Sequence, residues 1–226
     1  MAYLESAVVV YLRAIAYPNG FSFPLVPLEN YIAITEIFRE AATMAMLVGI
    51  SALLSKKFSI AFSYFIYCFA IWDIFYYVFL YFLLGWPESL LTWDVLFLIP
   101  VTWVGPVIAP VILSLTMVLF FMVIQYADSL FCETKIFTRE WFTLIVGSLT
   151  VILSFTLDYM RYILQFISLH EVFIHPNRQV ILNITFNYIP KRYSWGLFCL
   201  GEVIIVTGIA IYWIRIRKSK TTLNQP

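Results

Sequence analysis

VLFLIPVTWVGPVIAPVILSLTMVLFFMVIQYA, residues 95–127, runs for 33 residues without a charge. As a single helix it would be ~50 Å long, against a bilayer hydrocarbon core of ~30 Å. Pro100, Pro106 and Pro110 resolve the excess, because proline breaks the helical hydrogen-bond ladder. Val95–Val104 reads as a short half-helix or re-entrant piece, and the true span runs from about Pro106 to Tyr126. Backbone left unpaired by such a break is tolerated at membrane depth only where protein or a water-filled cavity satisfies it. In transporters such breaks often line the substrate site.

Four further spans lie on either side. They cover about Tyr31–Ser55, Ser59–Leu84 (interrupted only by Asp73), Trp141–Phe166 and Trp195–Ile216. Residues 3–17 are helical in pattern and are stopped by Pro18-Asn19-Gly20. With Glu5 and Arg13 they make an interfacial or partly inserted helix, or alternatively a short sixth span. The fold class is therefore an all-α polytopic membrane helix bundle. It has five transmembrane helices, this N-terminal helix and a proline-broken re-entrant segment. The chain forms one integral membrane domain. Residues 1–30 are its N-terminal helix and loop, 31–216 the bundle and 217–226 the tail.

Composition sets the same frame. Of 226 residues, 62% are hydrophobic and 12% charged, about half the charge of a typical soluble domain. Mean hydropathy is +0.90. This excludes intrinsic disorder, a disulfide scaffold and a soluble enzyme. The net charge of +1 excludes a nucleic-acid partner. Cys68, Cys132 and Cys199 show no CxxC spacing and read as packing thiols. No cleavable signal peptide is visible.

Lysine and arginine cluster at Lys56/Lys57, Lys135/Arg139 and Arg215/Arg217/Lys218/Lys220, eight of fourteen, all on one side of the five-span arrangement. The positive-inside rule makes that side cytoplasmic, with the C-terminus, in a plasma or inner membrane. The loops 18–30, 85–94 and 168–194 are then outside. Trp86, Trp93, Trp103 and Trp195 mark the outer interface, and Trp141 and Trp213 the inner one.

So oriented, the remaining charges gather in the outer half. Glu36, Arg39, Glu40 and Thr43 share one helical face at i, i+3, i+4, i+7. Thr150, Ser154, Asp158, Arg161 and Gln165 make a second stripe. Asp73 has Tyr76 and Tyr77 one turn outward, Asp94 sits at the mouth of the proline-broken segment, and Glu202 lies two turns into the last span. A charge at mid-bilayer costs roughly 2.5–3.5 kcal/mol on insertion scales, so these groups should converge on each other, on water or on a ligand. Arg39 with Glu36 or Glu40, and Arg161 with Asp158, can pair within a helix. Six carboxylates against two arginines leave four acids to be protonated, solvated or bound to a cation.

The candidate acid/base or proton-binding residues are Asp73, Glu40 and Asp158. The candidate substrate-binding residues are Glu36, Arg39, Tyr76, Tyr77, Asp94, Arg161 and Glu202, with Asp94 alternatively a helix cap. No metal site and no cofactor is expected. His170 and His175 are one residue too far apart for an HExxH pair and lie outside the apolar segments, which excludes a bis-histidine haem. No nucleotide-binding loop, nucleophile elbow or internal repeat is found. Asn183-Ile-Thr185 is a glycosylation pattern. Ala45/Gly49 and Gly201/Gly208 are small-residue faces for helix packing.

Three functions compete. A one-sided polar cavity would bind or convert a small or lipid-like substrate from the outer leaflet. A proton- or cation-coupled carrier would use the unpaired carboxylates. A non-catalytic subunit or assembly factor would spend its charges on an oligomeric or membrane-complex partner. The charge-poor cytoplasmic half favours the first, with membrane lipid as the constant partner.

Overall fold

A computed structural model describes residues 1–18, 20–26, 29–99, 101–130, 134–167, 184–185 and 187–223. Among these, six helices and one hairpin follow in order: α1 (Ala2–Ala16), α2 (Asn30–Leu54), α3 (Phe58–Leu84), β1 (Trp93–Phe97), β2 (Trp103–Pro106), α4 (Ile108–Ser129), α5 (Thr138–Ile163) and α6 (Trp195–Leu223). Helices α2 to α6 are each long and apolar enough to cross a bilayer. The chain is an all-α membrane helix bundle with five candidate spans. Cys132, His170, His175 and Asn183 lie outside the described residues.

The segment 95–104 is corrected. Its described residues form no half-helix: β1 and β2 pair as an antiparallel hairpin, with Trp93 opposite Pro106, Asp94 opposite Gly105 and Val95 opposite Val104, while Pro100 lies outside the described residues. The physical reason is the composition. Valine, tryptophan and phenylalanine favour a pleated strand, and pairing strand to strand satisfies the backbone without a helix. Val107 N donates to Thr92 O at 3.0 Å and closes the ladder. Pro110 falls in the first turn of α4, where the missing N–H has no helical partner to lose.

The chain divides into two compact units. The first comprises residues 1–41, 75–107 and 153–194, the second 42–74, 108–152 and 195–226. The hairpin and α1 belong to the first, α4 and α6 to the second.

In the first unit, α1 is amphipathic in the inverted sense. Ser6 and Arg13 are 0% and 8% exposed, while Leu4 and Ile15 are 69% and 70% exposed. Its polar edge packs on α3, with Ser6 Oγ donating to Tyr76 O at 3.2 Å and Tyr3 edge-on to Phe79. At 15 residues α1 is ~22 Å long, short of a full span. The core gathers Val104, Tyr159, Ile163 and Tyr188, with Phe23 and Trp93 against them.

In the second unit, α5 and α6 meet backbone to backbone. A Cβ on Gly147 would lie 2.9 Å from Ile205 N, and one on Gly201 2.9 Å from Val151 N. Only glycine permits that approach. Gly208 faces Thr143 and Leu144 as the small-residue reading expects, whereas Gly49 has nothing within 4 Å of its Cβ position. Glu140, in the first turn of α5, accepts from Phe137 N at 2.8 Å, half of a capping box. The same carboxylate takes Arg215 Nε at 2.7 Å and Nη2 at 3.0 Å, and the Arg215 guanidinium lies over Phe137 and Tyr212.

Candidate polar site

The α2 stripe is turned inward. Glu36, Glu40 and Thr43 are buried while Ile37 and Phe38, between them in sequence, are exposed. Arg39 Nε donates to Glu36 Oε2 at 2.7 Å, and Arg39 Nη1 pairs with Glu5 of α1. Glu40 Oε2 accepts the backbone N–H of Leu98 at 3.1 Å, where the chain leaves β1. One helical face of α2 thus holds both α1 and the hairpin.

A second cluster lies in the same unit. Asp94, buried on β1, accepts from the Tyr77 hydroxyl at 3.3 Å. Arg13 Nη2 stands 3.9 Å from Asp94 Oδ1. The Arg13 guanidinium is stacked 3.8 Å from the centroid of Trp86 and 4.6 Å from that of Phe21, a desolvated cation–π arrangement. Burial raises the Asp94 carboxyl to about 6, against the opposing pull of Arg13, the Val95 amide and Tyr77. Tyr76 feels Asp94, Arg13, Glu5 and Arg39 together, so the two clusters flank one phenol.

Asp158 performs a different task. It accepts from the Tyr188 hydroxyl at 2.8 Å and from Lys191 N at 3.1 Å, fixing the chain that returns toward α6. Ser154 shares a hydrogen bond with Tyr193, and Tyr159 with Thr185. Arg161, expected beside Asp158, is exposed, as is Gln165. Asp94 lies in a strand and caps no helix.

Asp73 and Glu202 belong to the second unit. Asp73 Oδ2 accepts from Ser114 Oγ at 2.9 Å, and Glu202 Oε2 from Thr116 Oγ1 at 2.8 Å, both hydroxyls carried by α4. The structure therefore brings Glu36, Arg39, Glu40, Tyr76, Tyr77 and Asp94 into one unit with Glu5 and Arg13. Asp158 is in that unit on separate partners.

Glu5 and Arg13 are the residues sequence reasoning missed. They read as penalties against a membrane span. Their signal was that both charges fall on the polar edge of an otherwise apolar helix, with Ser6. Among the described residues, no three His, Cys, Asp or Glu side chains come together as metal ligands. No family model, curated protein or solved structure matches the chain.

Proposed function

We propose that the α1–α2–hairpin network is a ligand site at the outer leaflet, taking a small or lipid-like molecule whose head carries positive charge or hydrogen-bond donors. The observation that carries this reading is the charge balance: Glu5, Glu36, Glu40 and Asp94 against Arg13 and Arg39, gathered about Tyr76 and Tyr77. Two guanidiniums neutralise two carboxylates. The others favour protons or a cationic head. The apolar exterior of α1 and α2 suits an acyl or isoprenoid body alongside, with bilayer lipid as the standing partner.

The test is native mass spectrometry of the full chain released from detergent, offered amine-headed, choline-headed, phosphate-headed and neutral amphiphiles. Selective retention of amine- or choline-headed molecules, lost in Glu40→Gln with Asp94→Asn, supports the reading. Equal retention of all four classes, or retention unchanged by the double variant, overturns it.

A second reading, a proton- or cation-coupled carrier, draws on Asp73 and Glu202, whose carboxyls meet α4 hydroxyls. Uptake of a cation into proteoliposomes, abolished by Asp73→Asn, would favour it.

Both readings use the same orientation: basic loops and C-terminal tail in the cytoplasm, in a cell membrane. A cysteine placed after Leu223 should resist a membrane-impermeant maleimide in intact cells. Labelling there would reverse the topology and move the site to the other leaflet.

A further inference from the structure

Glu202 is the eighth residue of α6, ~10 Å along the helix from its first residue. It is 9% exposed. One carboxyl oxygen, Oε2, accepts from Thr116 at 2.8 Å. The other, Oε1, is buried and has no hydrogen-bond partner.

Among the described residues, the elements packed against it supply no compensating charge. Helices α4 and α5 are the neighbours that the described contacts place against this stretch of α6. Between Ile108 and Gln125, α4 has no ionisable residue, and between Trp141 and Leu157 neither has α5. On α6 itself the ionisable neighbour is Cys199, one turn earlier and exposed. The first arginine of α6 is Arg215, ~20 Å further along the helix. It is already committed to Glu140.

An ionised carboxylate placed this way would leave an anionic oxygen buried without donor or cation. A carboxylic acid leaves only a neutral O–H unmatched, which is far less costly. The lone threonine suits the acid as well. Its hydroxyl donates to the carbonyl oxygen, and the hydroxyl oxygen of the acid needs no further donor.

We propose that Glu202 is a proton-binding site of the second unit, held as the carboxylic acid at neutral pH with the exchangeable proton on Oε1 and Thr116 clamping Oε2. The site binds a proton whether or not the chain transports anything, and it is independent of the ligand reading of the first unit.

The experiment is infrared spectroscopy of the full chain in lipid bilayers at neutral pH. Wild type should show a carboxylic-acid carbonyl band of one group that Glu202→Gln removes and Asp73→Asn leaves in place. Thr116→Val should move that band to higher frequency, because a carbonyl that loses its hydrogen bond stiffens. If Glu202→Gln instead removes intensity from the carboxylate bands and leaves the acid region untouched, Glu202 is ionised and the proposal fails. Should Glu202→Gln not fold, Thr116→Val decides alone. A shifted acid band supports the proposal, and an unchanged acid region overturns it. None of these outcomes depends on which amphiphile the first unit retains.

Discussion

The two units share ion pairing but differ in how they hold the acids within their spans. In the first, Glu5, Glu36 and Asp94 meet the guanidiniums of Arg39 and Arg13. In the second, Asp73 and Glu202 meet a serine and a threonine hydroxyl, and the bidentate pair Glu140–Arg215 stands at the start of α5. The difference predicts unequal consequences for the same kind of substitution. Removing one member of a buried ion pair strands its partner's charge, whereas converting a carboxyl that accepts from a hydroxyl to the amide leaves that hydroxyl an acceptor.

Arg39 should give the largest effect. Arg39→Met leaves Glu5, Glu36 and Glu40 together without their guanidinium, a loss of about 3–5 kcal/mol. Thermal unfolding in detergent should fall steeply, with partial recovery when Glu5→Gln and Glu36→Gln are added. An Arg39→Met protein as stable as wild type would erase the distinction between the units.

Asp94 sharpens the comparison through pH. Its folded carboxyl titrates at about 6, above the ordinary 3.8, so the folded protein binds this proton more tightly than the unfolded chain. Its contribution is fully present below pH ~4 and is lost as pH rises through about 6. The full swing is about 3 kcal/mol. The unfolding midpoint should therefore drop between pH 4 and 7 in wild type and drop less in Asp94→Asn. An identical pH profile in the two proteins would show that Arg13 holds Asp94 ionised throughout.

Tyr188→Phe should cost less, about 1.5–3 kcal/mol, the worth of a hydrogen bond to a charged group. It would loosen the chain around Lys191 while leaving ligand retention at the α1–α2 network intact. Limited proteolysis near Lys191 reads this directly. Unchanged cleavage would mean that Asp158 is satisfied by the Lys191 amide without the phenol.

The smallest shift is expected for Asp73→Asn, under about 1 kcal/mol, since an amide oxygen still accepts from Ser114. A drop as large as that of Arg39→Met would show that the Asp73 charge itself holds the fold.

Much of this was legible from the residues, and what was not has identifiable causes. Hydropathy located all five candidate spans, because apolar length is a direct demand of the bilayer. The Glu36/Arg39/Glu40/Thr43 face was legible because a period of 3.6 is visible wherever polar residues are rare. The hairpin was not. An uncharged stretch with Pro100 and Pro106 looks the same whether a helix breaks or two strands pair, and at this depth hydrophobic alternation carries no contrast. Nor could sequence tell that Ser114 and Thr116 reach across to carboxyls. Hydroxyls in membrane helices ordinarily bond their own backbone, as Thr150 does to Val146 O. Glu5 and Arg13 were hidden by their partners' distance along the chain, since nothing near them in sequence complements either charge.

That distance has a consequence for the order in which the protein can be made. Glu5 pairs with a residue 34 positions later, Ser6 reaches one 70 positions later, and Arg13 faces Asp94 on β1. When α1 leaves the ribosome none of these partners exists, and a charged edge cannot enter lipid uncompensated. Helix α1 thus docks only after segments that follow it in the chain. Until α3 and the hairpin have emerged it must wait at the membrane surface with its charges in water.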